Sequence, residues 1–326
     1  MKILVTGGAG FIGSNFVRYF MKKHENCDIV VLDKLTYAGR KENLQDIIKD
    51  IEFVKGDICD SKKVQDIIKD CDFIINFAAE THVDRSIQSA DSFVRTDILG
   101  VFTLLEASRK YGIRKFVQIS TDEVYGHALK GSFREADKLN PGNPYSASKS
   151  SADLLVLSYF KTYGLPVIIT RSTNNYGYYH HPEKFIPKTI IYALLNKRIP
   201  VYGKGKNIRD WLFVEDNCSA IDTVLWTGNT GEIYNIGSGN KLENIEVVRV
   251  ILKKMGMGEN LIEFVKDRPG HDIMYSLNTD KINGLGWKPG TGFDEGVGKT
   301  IKWFKDNRWW WEPVIKKQDI DFHKKW

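Results

Sequence analysis

No apolar run in this chain approaches the ~20 residues that a membrane-spanning helix requires; stretches such as "FIINFAA" are far too short, which excludes a helical membrane protein. Cysteine is scarce. The four present, Cys27, Cys59, Cys71 and Cys218, include no C-x-x-C pair and no histidine partner at metal spacing, so neither a disulfide framework nor a zinc site is expected. They read as reduced, structural thiols. Met1 opens directly onto a strand-like run without the charged-then-apolar leader of a secreted protein, and a cytoplasmic location is expected. Blocks of one charge are also missing: 47 basic residues are interleaved with 41 acidic ones for a net charge of +6. That pattern argues against nucleic acid as partner and for phosphate on a small molecule. The lysine-rich end, "KKQDIDFHKKW", reads as solvated surface, and no repeat or low-complexity linker is visible.

What is present is a hydrophobic content of 42%, enough for a packed core in a chain of 326 residues. In the first half, β-branched runs alternate with helical patterns: "KILVTG", "SNFVRYFMKKH", "DIVVLD", a helix near "ENLQDIIKD", "IEFVKGD", "VQDIIKD" and "DFIINFAA". Strands at "KFVQIST" and "PVIITR" follow, with long helices at "DILGVFTLLEASRKY" and "YSASKSSADLLVLSYFKTY". Such alternation predicts an α/β, doubly wound, mostly parallel sheet of Rossmann type with six or seven strands. After Arg171 the regular alternation stops, and a smaller mixed α/β domain is expected. The expected division is 1–172, with about 213–236 returning to it, against 173–212 and 237–326. A cleft should lie between the two.

"VTGGAGFIG" places Gly7, Gly10 and Gly13 in G-x-x-G-x-x-G spacing between a strand and a helix. Glycines permit the tight turn and let backbone amides approach a pyrophosphate at a helix N-terminus. Asp33 ends the next strand, and 33 − 13 = 20 is the offset of an acid that holds the adenosine ribose hydroxyls. NAD is therefore the expected cofactor, since an acid there repels the extra phosphate of NADP. Asp57, in "GD", is either a second cofactor contact or a plain strand-end turn. "YSASK" sets Tyr145 and Lys149 four residues apart on one helix face after Pro144. An ammonium beside a phenol should lower its pKa and make Tyr145 a base for a sugar hydroxyl. "STDEVYG" puts a hydroxyl and two acids, Thr121, Asp122 and Glu123, at a strand end. Repulsion between adjacent acids in a desolvated cleft holds one protonated, so that one acts as acid and the other as base.

Together with "DKLTYAG", "AAETHVDRS", "RSTNNYG", "KNIRDWLFVED" and "DRPGHD", these motifs resemble the dTDP-glucose 4,6-dehydratases, which are extended short-chain dehydrogenases/reductases. The likeness runs over nearly the whole chain. Its glycine loop and Y-x-x-x-K are shared across the superfamily, while the acid pair separates dehydratases from epimerases. The resemblance implies dehydration of dTDP-glucose to its 4-keto-6-deoxy product, through oxidation at carbon 4, loss of water across carbons 5 and 6, and hydride return to carbon 6. The alternative is an NAD-dependent epimerase or a dehydratase of a UDP-, CDP- or GDP-hexose. Tyr145 and Thr121 would serve the hydroxyl on carbon 4, Glu123 would take the carbon 5 proton, and Asp122 would protonate the departing hydroxyl. The implied NAD site adds Phe11, Ile12, Lys34, Ile58, Ala78, Ala79, Thr96 and Asn175, along with Asp57, Tyr145 and Lys149.

For the nucleotide sugar the resemblance implies Asn174, Lys184, Phe185, Arg209, Asn244, Arg268 and His271, with Pro200 and Tyr202 flanking the base. Arginine forks suit phosphate oxygens and amides give direction, although Arg209 could instead pair with Asp210 at the surface. His82, Asp84 and Arg85 are expected to close over the sugar. His180 and His181 are adjacent and share no helical face, so no metal is assigned. His127 stands where the family often has an acid and Tyr178 where it often has proline. The triple indole Trp309 to Trp311 should pack the C-terminal segment onto the second domain, and the family likeness implies a homodimer through helices 98–111 and 145–163.

Overall fold

Strands that are apolar on both faces need cover on both faces, and the helices between them provide it. The computed structural model describes residues 1–128, 131–267, 273–318, 320 and 321. The first half runs β1 (Lys2–Thr6), α1 (Phe11–Lys23), β2 (Asp28–Asp33), β3 (Glu52–Lys55), α2 (Ser61–Ile68), β4 (Phe73–Asn76), α3 (Val83–Gln88) and α4 (Asp91–Phe93). A π-helical stretch, Val94–Gly100, leads into α5 (Val101–Tyr111), β5 (Lys115–Thr121), α6 (Pro144–Tyr163) and β6 (Val167–Ser172). The second half holds β7 (Asn174–Tyr176), α7 (Phe185–Leu194), β8 (Ile199–Tyr202), β9 (Ile208–Phe213), α8 (Val214–Thr227), β10 (Ile233–Ile236) and β11 (Lys241–Glu243). It ends with α9 (Asn244–Met255), β12 (Ile262–Val265), α10 (Asp280–Asn283), α11 (Phe293–Asp306) and α12 (Arg308–Lys317).

Seven strands form one sheet in the order β10-β6-β5-β4-β1-β2-β3, and all its pairings are parallel. This is a doubly wound α/β sheet of Rossmann type. Phe16, Phe20, Val31, Val117 and Leu225 are buried in the core on one side of it, and Leu4, Val30, Ile74, Leu104 and Val156 on the other. The strand order reverses between β1 and β4, so the crevice at their carboxyl ends is where a ligand is expected. A second core, with Ile190, Val248, Phe304 and Trp311, lies under β8, β9, α7, α9 and α11.

Local chemistry sets the register of α6. Asn143 caps it by accepting from the Ser146 amide at 2.9 Å, the Ser146 hydroxyl accepts from the Asn143 amide at 3.2 Å, and Pro144 occupies the first turn. A cap of this kind stabilises a helix by about 1 kcal/mol. Its larger consequence is positional, because it fixes Tyr145 in the first turn.

Three expectations need correction. The segment near "ENLQDIIKD" is a 3-10 turn, Lys41–Leu44, followed by further turns. The Asn43 amide donates to Ala9 O at 2.8 Å and its oxygen accepts from Trp310 at 2.7 Å, so tertiary partners claim this segment. α8 packs on α1 and β10 edges the large sheet, while β9 pairs with β7 and β11 in a separate sheet. The triple indole does not serve the second half alone: Trp309 is exposed and Trp311 is buried, while Trp310 also carries the Arg40 guanidinium 5.1 Å above its ring. The C-terminal tail begins as a docked strap. Ile320 is buried, its carbonyl accepts from Lys188 Nζ at 2.7 Å, and Gln318 reaches Tyr37 O at 3.2 Å. Residues 322–326 lie outside the described residues.

Candidate active site

The carboxyl ends of β1, β2, β4, β5 and β6 open into one cavity of about 470 Å³, which reaches across to β8, β9 and α9. Gly7 lies at φ +66°, and a Cβ on it would sit 2.6 Å from Ala78 N; a Cβ on Gly13 would sit 2.4 Å from Gly7 O. The loop therefore leaves no room for side chains where backbone must approach a ligand. Gly10 caps α1, a helix long enough to present its N-terminus to a pyrophosphate. The buried Asp33 carboxylate accepts from the Ala9 amide at 2.9 Å and the Leu35 amide at 2.7 Å. Burial pushes its pKa up, with those two amides opposing. Lys34 Nζ lies 2.7 Å from Asp57 rather than on Asp33, and Asp57 also accepts from the Cys59 amide at 2.9 Å. Asp33 thus keeps its acceptor character toward a ribose, which suits NAD. Phe11, Ile12, Ile58, Ala78, Ala79, Thr96 and Asn175 line the same cavity. The Asn174, Asn175 and Asn244 side-chain oxygens are buried without a partner among the described residues, as polar groups awaiting a ligand would be. Gly13→Ala is expected to lower NAD affinity by about tenfold or more, because a backbone oxygen stands where the methyl must go. Calorimetric titration of the cofactor checks it.

The acid pair occupies a 3-10 turn, Asp122–Tyr125, directly after β5. Thr121 Oγ1 accepts from the Glu123 amide at 3.3 Å and donates to Asp122 Oδ1 at 3.2 Å. Asp122 is completely buried, and its pKa is pushed far up by burial first and by the Glu123 charge second, against the Arg209 guanidinium and the Thr121 hydroxyl. Burial thus favours its protonated form. Tyr145 faces the same turn from α6. Its phenol is driven up by burial, Glu123 and Asp97, with the Thr121 hydrogen bond opposing. That corrects the expectation of a lowered phenol: the Lys149 ammonium, which also lines the cavity, donates to Ile119 O at 2.8 Å.

Lys184, Phe185, Pro200, Tyr202, Arg209, Asn244 and Asn174 line the other end of the cavity. Lys184 Nζ donates to Thr81 O at 2.8 Å and Phe185 stacks on Trp211 at 6.0 Å. Arg209 is buried, its guanidinium donating to Ile208 O at 2.8 Å and lying 4.4 Å from the Tyr275 ring, so it is no surface partner of Asp210. Arg268 and His271 lie outside the described residues.

His82 and Asp84 line the cavity, while Arg85 points to a group that sequence reasoning missed. The Glu183 carboxylate is fully buried, 3.0 Å from Arg85, 3.6 Å from His181 and 3.9 Å from His82. His181 is lowered to about 4 by burial, against the pull of Glu183. The acid in "HHPEKF", beside the expected ligands Lys184 and Phe185, was the available signal. Asp97 was missed as well. It sits in the π-helical stretch, accepts from Ser148 Oγ at 2.6 Å and the Glu80 amide at 2.9 Å, and is raised to about 6 by burial against the Lys149 charge. Nothing in a run of helix residues marks it. Among the described residues, no group of three or more histidine, cysteine or acidic side chains could hold a metal ion.

This geometry matches known proteins. Residues 4–300 match the family described as GDP-mannose 4,6 dehydratase. The dTDP-glucose 4,6-dehydratase of Streptomyces niveus is 49% identical over 321 residues, 96% of each chain. The low-salt glycan biosynthesis protein Agl12 of Haloferax volcanii is 51% identical over 306 residues, 93% of this chain and 98% of that one. In three dimensions the chain is similar to DesIV, a dTDP-glucose 4,6-dehydratase from Streptomyces venezuelae solved with NAD and TYD bound. The TM-score is 0.94 at 44% identity, covering 96% of this chain and 100% of DesIV.

Proposed function

The chain belongs to the family described as GDP-mannose 4,6 dehydratase, and from its likeness over nearly its full length to dTDP-glucose 4,6-dehydratases we propose that it is an NAD-dependent hydro-lyase acting on dTDP-glucose. The product is the 4-keto-6-deoxy nucleotide sugar. One arrangement carries the reading: two adjacent acids, one of them held neutral by burial, share a cavity with the Tyr145 phenol. A hexose has no acidic proton at carbon 5 until carbon 4 is a ketone, so oxidation must come first. NAD, when bound at the glycine loop and Asp33, supplies the acceptor for that oxidation and later the reductant for carbon 6.

The chain's own groups do the rest. Tyr145 takes the proton of the hydroxyl on carbon 4, oriented by Thr121, with Lys149 lining the same cavity. Glu123 removes the proton at carbon 5, and Asp122, already protonated, gives its proton to the hydroxyl leaving carbon 6. Neutral acid and charged base side by side is what burial of an adjacent pair produces. Arg209, Asn174, Asn244 and Lys184 hold the diphosphate and sugar, with Pro200 and Tyr202 at the base.

The same reading divides the chain at about residue 172, with 213–236 returning to the first half; membership of β10 in the large sheet supports it. A homodimer through α5 and α6 accords with the exposed apolar side chains Val94, Leu99, Phe102, Leu154 and Tyr163 on and beside these helices. No helix among the described residues is long and apolar enough to cross a membrane. With four free thiols, a cytoplasmic setting fits.

Incubation with dTDP-glucose, followed by mass spectrometry, is expected to show loss of one water. Retained mass would indicate epimerisation instead. GDP-mannose and the UDP- and CDP-hexoses run in parallel set the nucleotide preference, and faster turnover of any of them would displace dTDP-glucose as the substrate.

A further inference from the structure

Behind the acid pair, outside the cavity lining, lies a fully buried ion pair that the reaction does not use. Arg171, 1% exposed on β6, donates from Nε to Asp153 Oδ2 at 2.9 Å and from a terminal nitrogen to Tyr125 Oη at 2.7 Å. The Tyr125 hydroxyl in turn donates to Asn235 Oδ1 on β10 at 2.9 Å, and its ring stacks on Phe133 at 5.1 Å. A buried ion pair is weak as a source of stability, since apolar side chains of similar volume often serve as well. What it supplies here is direction. A guanidinium is a rigid fork that holds two partners at once in fixed geometry.

The identity of the two partners carries the inference. Asp153 lies four residues after Lys149 and eight after Tyr145, on the same stripe of α6. Tyr125 closes the short turn that holds Asp122 and Glu123. Groups for oxidation and groups for elimination therefore stand on different elements, and the Arg171 fork touches both. We propose that Arg171, with Asp153 and Tyr125 as its two contacts, is a positioning device that sets the acid pair relative to the helix carrying Tyr145. It touches no substrate and acts through Glu123 and Asp122. Because α6 keeps its cap and its β-sheet contacts without Tyr125, losing that contact releases the acid turn while leaving Tyr145 in place. Elimination should suffer and oxidation should not.

The inference rests on the dehydratase reading, and one experiment separates the two. Tyr125→Phe keeps the ring stack and removes both hydrogen bonds of the hydroxyl. In single-turnover mixing with dTDP-glucose, absorbance of the reduced cofactor should rise at the wild-type rate in this variant and decay about tenfold or more slowly, the scale of loss that small misplacements cause. Deuterium uptake from solvent at carbon 5 should fall in the same proportion. Arg171→Lys, which keeps a cation near Asp153 but cannot fork to Tyr125, should divide the two phases in the same way. Comparing the phases within one sample makes the result independent of how much of a variant is folded. Equal slowing of both phases, or no change in either, overturns the positioning role and leaves the dehydratase reading intact. A wild-type protein that removes no water from dTDP-glucose overturns both.

Discussion

Tyr145→Phe is expected to abolish the transient absorbance of reduced cofactor that follows addition of dTDP-glucose, with steady-state turnover down by about 10²–10⁴-fold, the contribution of a positioned general base. The phenol oxygen is the only atom removed, and α6 keeps its cap through Asn143 and Ser146, so the fold and the NAD site should survive. Calorimetry should find that the variant still binds cofactor, so that loss of the transient reports the missing base. The pH dependence carries a sign. Burial and the carboxylates of Glu123 and Asp97 hold the phenol above its ordinary range. The proton-accepting form therefore grows as pH rises, and wild-type oxidation should accelerate toward alkaline pH while the variant's residual rate does not. A normal transient in the variant would show that another group accepts the proton.

Glu123→Gln should separate the half-reactions in the opposite sense. The amide keeps the side chain's shape and its place after Thr121 but cannot accept a proton from carbon 5. Oxidation at carbon 4 should persist, and water loss should slow by about 10²–10⁴-fold. Reduced cofactor would then accumulate instead of passing through, and mass spectrometry would find a nucleotide 4-ketohexose that still holds its water. Removing the Glu123 charge also lifts one of the two largest influences that keep Asp122 protonated, the other being burial. Burial remains, so Asp122 should stay neutral and the block should fall on proton removal. An unimpaired dehydration rate would mean that the base has been misassigned.

The two residues differ in how visible they were. Tyr145 and Lys149 announce themselves by a four-residue spacing that any helix turns into a shared face. What that spacing could not convey was the environment. Lys149 turned out to serve the Ile119 carbonyl, and the phenol is buried and sits among carboxylates, so its pKa moved up instead of down. The acid pair was legible as chemistry, because two adjacent carboxylates after a buried strand are costly unless used. Which of them is pushed toward its protonated form was not, for that depends on the burial of Asp122, opposed by an arginine 87 positions further along the chain (209 − 122 = 87). Glu183 and Asp97 escaped notice for a related reason. Each is an ordinary acid in its own stretch and becomes unusual only beside Arg85, His82 and His181, or beside Lys149 and Ser148. The strap formed by Gln318 and Ile320 looked solvated because lysines flank it, yet its contacts lie with Lys188 and Tyr37.

By itself, the order of residues determined the doubly wound sheet and the glycine loop with its acid, and it marked Tyr145 and the acid pair as candidates for the chemistry. These follow from periodicity, backbone freedom and side-chain chemistry, which act over a few residues at a time. The tertiary structure alone decided which strand joined which sheet, which carboxyl burial pushes toward its protonated form, and how Arg171 ties the acid turn to the helix of Tyr145. Each of those depends on burial and on fields between groups far apart in the chain, and such quantities exist only once the chain has folded.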